Sequence, residues 1–398
     1  MKTQLHLSAA LLVTSAVACA PVDTTPYVPA LGGAAGADPV GVAGAGGAPG
    51  AAGAGPGAAG AGGTTPATGG SSGAGGTASE GPGTNGLPAS GTPELPPTAA
   101  TGVARPSGAV GGMRVLDWAG FSAAVSYTFD DANSSQISNY ATLQALGVPF
   151  TFYLWTSRPG ATDDIWRQAV ADGHELGNHT QSHLQGNSAG LAGDTDAAEL
   201  FIQGNFGVAS YTMAAPYGAS QYIDIARTRY LINRGIGDTM VTVNGNTDRL
   251  SVPTYIPPEG AQEEDLNRHI DAARTNHGWK SILVHGFTGD GGAYLPVDLA
   301  EFVANVEYAK SFGDVWIGTM LDVGAYWVAQ KAIRETAPVV DGDSTTWNWI
   351  LPEHFPPNRS VRVTVTGGTL TQGGIPLTWD EHGYYEVALD AGTLTLSP

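Results

Sequence analysis

Three short stretches carry the side chains able to do hydrolytic chemistry. Thr128-Phe129-Asp130-Asp131 sets two carboxylates side by side at the end of an apolar run. Neighbouring residues on a strand point to opposite faces, so both carboxylates can serve one site only where the strand has ended. The C-terminal mouth of a parallel sheet is such a place, and α/β enzymes put their chemistry there. His179-Thr180-Gln181-Ser182-His183 holds two imidazoles four residues apart. One helical turn would bring them to the same side. Two imidazoles and a carboxylate leave a zinc ion an open position, the arrangement of a catalytic rather than a structural site. The metalloprotease pattern is excluded, because Thr180 stands where that motif needs its glutamate. Ser281-Ile282-Leu283-Val284-His285 is another apolar run ending in a histidine, which puts His285 at the same mouth as Asp130. Taken singly, the first stretch also reads as an acidic turn and the last as a buried structural histidine. His174 precedes an apolar residue and reads as a packing or hydrogen-bonding group, not a ligand.

The elements that must position these groups follow from periodicity. Ala123–Phe129, Phe150–Trp155, Trp279–Val284 and Val315–Met320 read as strands. Gln136–Leu146, Asp163–Asp172, Val297–Ser311 and Leu321–Glu335 show apolar residues at helical spacing. This alternation predicts an α/β fold with a parallel sheet, open or closed into a barrel. After Pro338, Ser360–Thr366, Tyr384–Leu389 and Thr393–Leu396 alternate like short strands. The expected organisation is a signal peptide over residues 1–18, a flexible Gly/Ala/Pro-rich linker over 19–110, a catalytic domain over 111–336 and a small β module over 337–398. The linker is too poor in large apolar residues to bury a core and would span roughly 50 Å as a flexible chain.

The 398 residues include 57 Gly and 26 Pro, in keeping with a long non-globular segment. Lys and Arg number 17 against 36 Asp and Glu, for a net charge of −19. Such a chain does not track a phosphate backbone, so nucleic acid is excluded as a partner class. No obligate protein partner is evident. A single cysteine rules out an intramolecular disulfide. That cysteine closes Ala16-Val17-Ala18-Cys19, after Lys2 and a mostly apolar Leu5–Val17 too short to span a bilayer. The stretch resembles the lipobox of bacterial lipoproteins, in which the cysteine is diacylated and becomes the first residue. The resemblance implies export and a membrane anchor through Cys19, at the outer membrane if the source is Gram-negative.

Taken in order, the three chemical stretches resemble the polysaccharide deacetylase family, also called NodB-homology or carbohydrate esterase family four. The resemblance covers about Ala123 to Glu335. It implies a distorted (β/α) barrel and metal-dependent removal of N- or O-linked acetyl groups from a carbohydrate polymer, with zinc the default metal. It also implies roles: Asp130 as general base, Asp131, His179 and His183 as metal ligands, His285 as general acid, and the backbone N–H of Tyr217 toward the oxyanion. Trp155, Tyr217, Phe287 and Tyr294 are candidates for stacking on sugar rings. One departure stands out. Met213-Ala214-Ala215-Pro216-Tyr217-Gly218 matches the family's third motif, but Ala214 replaces its arginine. Arg227, Arg229 and Arg234 are the nearby candidates to replace it, and an Asp-Trp pair corresponding to the fourth motif is not found. The missing arginine motivates an alternative, a non-catalytic polysaccharide-binding lipoprotein on the same fold.

Overall fold

The computed structural model describes residues 81–398. The expected signal peptide, Cys19 and the linker as far as residue 80 lie outside the described residues. Sixteen strands follow in chain order: β1 (Arg114–Val115), β2 (Ala123–Asp130), β3 (Thr151–Leu154), β4 (Glu175–Asn178), β5 (Thr212–Ala214), β6 (Ile232–Arg234), β7 (Val241–Thr242), β8 (Gly278–Val284), β9 (Val315–Ile317), β10 (Val339–Asp341), β11 (Ser344–Asn348), β12 (Ser360–Thr364), β13 (Thr369–Gln372), β14 (Ile375–Pro376), β15 (Tyr385–Ala388) and β16 (Thr393–Ser397).

The catalytic domain is a curled sheet in the order β6-β5-β4-β3-β2-β8-β7, parallel except for the last pair. β2 is its centre. β8 runs along one edge of β2, while β3 pairs with its C-terminal end and β9 with its N-terminal end. The gap between β6 and β8 is bridged by an irregular segment. Val252 hydrogen-bonds Asn233 and Gly235 beside β6, and Tyr255 bonds Ser281 and Leu283 on β8. The result is a distorted (β/α) barrel. Alternation sorts its faces: Val125, Tyr127 and Phe129 pack outward under the helices, and Ala124 belongs to the inner cluster. By the same parity Asp130 and His285 point inward at the mouth.

The expected elements shift in detail. The helix expected over Gln136–Leu146 is two short helices, Ser134–Ser138 and Tyr140–Ala145. Between them the Asn139 side chain donates to the Ser135 carbonyl (2.8 Å), competing with the helical backbone bond. β9 stops at Ile317, because the Thr319 side chain caps the helix Met320–Glu335. Three helices went unforeseen, one of them the five-residue Ile223–Arg227. Gly193 and Gly204 interrupt the apolar pattern of Leu191–Phe206, and Glu263–Asn276 is largely polar. No helix among the described residues is long and apolar enough to cross a membrane.

Residues beyond 337 form antiparallel strands in two sheets, β1-β12-β15 and β10-β11-β16-β13-β14. β1 comes from the other end of the catalytic domain, so the module is completed by the chain that precedes the barrel. The segment over 81–110, which composition assigns to the linker, makes specific contacts. Ser90 exchanges hydrogen bonds with the Leu176 backbone, and the buried Arg362 guanidinium donates to the Leu95 and Pro96 carbonyls. Residues 81–110 are therefore part of the described fold, where a linker had been expected. Few apolar residues are needed to order this strap, because its carbonyls meet buried donors. Val361, Val363, Tyr385 and Leu396 share one buried cluster with Trp316 and Met320.

Candidate metal and catalytic site

Asp130 is the last residue of β2, and the next two residues leave the strand with φ of 78° at Asp131 and 54° at Ala132. That turn lets adjacent carboxylates enter one cavity. The imidazole pair is positioned differently from the sequence expectation. His179 and His183 do not lie on a helical turn: β4 ends at Asn178, and the loop that follows has positive φ at Thr180 (63°) and His183 (52°). The loop is held by Asn178 Oδ1 accepting from Thr180 N–H (2.8 Å) and Thr180 Oγ1 accepting from His183 N–H (3.1 Å). Polar side chains thus replace the helical ladder. Tyr217, in the Pro-Tyr-Gly turn after β5, also has positive φ, at 58°. Left-handed non-glycine backbone costs about 1–3 kcal/mol per residue and gathers at functional sites.

The ligand atoms converge. His179 Nε2 lies 3.1 Å from His183 Nε2 and 3.6 Å from Asp131 Oδ1, and His183 Nε2 lies 3.9 Å from the same oxygen. Three ligands about 2.0–2.2 Å from one tetrahedral ion stand about 3.3–3.6 Å apart, so separations of 3.1, 3.6 and 3.9 Å are near the size of a triangle that could hold one ion. Asp131 Oδ1 is buried without a hydrogen-bond partner, as an oxygen facing a cation would be. His179 Nδ1–H donates to the Ala214 carbonyl (2.8 Å), which leaves the Nε2 lone pair directed into the site. Burial pushes both imidazoles down to about 4, so they are neutral and able to bind metal at neutral pH. Burial, then the charge of Asp130, raises the Asp131 carboxyl.

Asp130 Oδ2 stands 3.5 Å from His179 Nε2 and is paired with the Arg234 guanidinium. Of the three arginines near Ala214 in sequence, Arg234 is the one that reaches Asp130. It lies on β6 in direct register with Ala214 on β5. Burial opposes ionisation of Asp130, yet Arg234, then His179 and His285, hold its carboxyl below the usual carboxylate range. Arg227 pairs with Asp224, and Arg229 with Asp196, away from the site.

His285 follows β8 directly and meets the Tyr294 ring edge-on at 5.3 Å. Its backbone carbonyl accepts from Asn133 Nδ2 and Gln136 Nε2, both at 2.7 Å. Gln136 Nε2 also donates to the Asp130 carbonyl, so these amides tie the ends of β2 and β8 together. Sequence reading passed over Asn133 and Gln136, whose only signal was two amides shortly after the paired aspartates. The cavity is about 470 Å³ and is lined by all six sequence-selected residues of the mouth, Asp130, Asp131, His179, His183, Tyr217 and His285. Trp155 and Tyr294 also line it, whereas Phe287 is buried in the outer aromatic cluster and is unavailable to a sugar. Trp155 stacks on His183 at 4.7 Å. His174 accepts from Phe150 N–H (3.0 Å) and packs among aromatic rings, a structural role.

Residues 122–231 match the model of the family described as polysaccharide deacetylase. The match includes Asp130 through Tyr217 and stops short of Arg234 and His285. Over those residues the chain is similar to polysaccharide deacetylases. Among curated proteins, the chain is 26% identical over 254 residues to a gellan lyase of Bacillus sp, covering 54% of this chain and 10% of that protein. The chain thus spans about a tenth of that relative's length. Among solved structures, a family 4 acetyl xylan esterase from Clostridium thermocellum in complex with a cobalt ion is 17% identical, with a TM-score of 0.36, over 50% of this chain and 89% of that one. A family 4 carbohydrate esterase from Streptomyces lividans in complex with acetate is 16% identical, with a TM-score of 0.34, over 50% and 92%.

Proposed function

We propose that this domain hydrolyses acetyl groups, N- or O-linked, from a carbohydrate polymer, with one divalent metal held by Asp131, His179 and His183 and zinc the default. The observation that carries the reading is the convergence of three ligand atoms within 4.8 Å of one another in the cavity that Asp130 and His285 also line. A bound zinc ion would act as a Lewis acid on the acetyl carbonyl and its attacking water. Asp130, kept ionised by Arg234, takes the proton from the attacking water. The backbone N–H of Tyr217 faces the oxyanion of the tetrahedral intermediate. His285 gives a proton to the leaving nitrogen or oxygen. Gln136 and Asn133 hold the acid and base at a fixed separation through the Asp130 and His285 carbonyls.

Arg234 beside Asp130 weakens the non-catalytic alternative, since the missing arginine was its motive. We further propose that Cys19 carries a lipid anchor that places the domain at the bacterial cell envelope. Acetate release from a panel of acetylated xylan, chitin oligomers, peptidoglycan and exopolysaccharide, with and without a chelator, tests the function. Chelation should abolish release. Full activity of metal-free protein, or tight polymer binding with no release from any substrate, would overturn the reading.

A further inference from the structure

We propose that Arg158 forms an anion subsite at the cavity rim, so that the polymer acted on carries carboxylates on its sugar residues. This rests on the deacetylase reading and extends it to the class of polymer.

Arg158 lies in the loop after β3. Its Nη1 donates to Asn133 Oδ1 (3.0 Å), and its guanidinium sits 4.5 Å over the Trp155 ring. Nη2 stands 3.9 Å from Asp131 Oδ2, beyond hydrogen-bond distance. The side chain is 29% exposed, whereas the Arg234 side chain is 1% exposed and already paired with Asp130. Arg158 is therefore the cation that an incoming ligand can reach in this cavity.

The charge balance makes that cation informative. The cavity is lined by two carboxylates, Asp130 and Asp131, and two guanidiniums, Arg158 and Arg234. These four groups cancel, and His285 adds a positive charge whenever it carries the proton it gives to the leaving group. A divalent ion at the ligand triad leaves the mouth with two positive charges in excess. The oxyanion of acetyl hydrolysis neutralises one of them, and a neutral sugar offers nothing to the other. Asp131 already stands between them, with Oδ1 at the triad and Oδ2 3.9 Å from Arg158, but its single charge offsets neither the dication nor the guanidinium in full. The planar fork of the guanidinium suits a carboxylate, which it binds through paired charge-assisted hydrogen bonds. The net charge of −19 supplies no general attraction for a polyanion, so recognition has to act locally, within a Debye length of about 8 Å.

The test uses an acetylated oligouronate and its carboxyl-reduced counterpart, which differ only in the charged group. Metal-loaded wild-type protein should favour the acidic substrate by about tenfold or more in kcat/KM, the scale of one charge-assisted hydrogen bond. That preference should shrink as salt is raised. Arg158→Met should collapse it toward unity through KM, and Arg158→Lys should keep part of it, because a point charge remains without the fork. Zinc content and Tm are read on each variant; if Arg158→Met fails to fold, the Lys variant and the wild-type salt dependence decide. Equal wild-type activity on both substrates would overturn the proposal while leaving the deacetylase reading intact. So would an Arg158→Met loss that is equal on both and accompanied by loss of zinc. No acetate from either substrate, nor from the polymer panel, would remove that reading and this proposal with it.

Discussion

The two ends of the barrel both bury carboxylates, and they treat them in opposite ways. At the floor, Glu175 on β4 accepts from Thr151 Oγ1–H and Leu321 N–H, each at 2.9 Å, and from Thr212 Oγ1–H at 2.5 Å. Both oxygens are satisfied, and the group anchors the helix that closes the barrel. At the mouth, Asp130 Oδ1 and Asp131 Oδ1 are buried with no hydrogen-bond partner. A polar atom left open inside a protein is costly, so it persists where something else will bind it. Asp131, Thr180, His183 and Tyr217 hold positive φ at the mouth, but Trp118, Ala119 and His277 do so before β2 and β8 at the other end, so hydrogen-bond satisfaction and not strain separates the two ends. One end is built to be complete, and the other is built to be completed.

The contrast is broken most severely by removing a ligand. Asp131→Ala or His179→Ala should take bound zinc from about one per chain to near zero and abolish acetate release, read by metal analysis and an acetate assay. A ligand variant that kept its zinc would remove Asp131 or His179 from the site.

Removing the chemistry while keeping the metal is the next step down. Asp130→Asn and His285→Ala should lower kcat by about 10²–10⁴-fold with zinc content unchanged, the scale of a lost acid or base. Near wild-type turnover in either would show its assigned role to be mistaken.

Arg234 sharpens the comparison, because it is the satisfied partner at the otherwise open mouth. Arg234→Met leaves Asp130 buried without its counter-charge and should cost about 3–5 kcal/mol of stability by urea denaturation. In the folded, metal-loaded fraction the acid limb of kcat/KM should move to higher pH, since removing a nearby cation disfavours the ionised carboxylate. Adding Ala214→Arg returns a guanidinium to the adjacent strand at the same register and should recover part of both losses. An unmoved limb would mean that Arg234 does not set the ionisation of Asp130.

The smallest effect belongs to the floor. Burial pushes Glu175 up from 4.5 to about 7, against its hydrogen bonds. A carboxyl whose folded pKa is raised contributes stability that is fully present below about 4.5 and is lost as pH rises through about 7. Glu175→Gln should therefore flatten the stability profile between those values and gain about 1–3 kcal/mol over wild type at pH 8. Parallel urea midpoints for the two proteins across that range would disprove the raised pKa.

Much of the mouth was legible because its signals are local. The end of an apolar run marks where β2 and β8 stop, and strand parity then sends Asp130 and His285 inward. For the imidazole pair, spacing of four suggested a helix, but Asn178 and Thr180 bond the backbone into a loop that no periodicity encodes. Gln136 and Asn133 were invisible for a related reason, since their partners are backbone carbonyls, and one of these lies some 150 positions away.

Residue types and order alone determined the chemistry on offer here: two carboxylates, two imidazoles and a third histidine, each at the end of a run that has to be buried. They also determined that the chain carries no arginine at position 214. Which arginine reaches Asp130 was decided only by the tertiary structure. Arg227, Arg229 and Arg234 are near-equivalent in sequence, but only Arg234 lies in register beside Ala214, where the small side chain leaves room for a guanidinium to reach Asp130. Pairing between parallel strands depends on how the crossover between them packs, and that is a property of the whole barrel, with no trace in the local sequence.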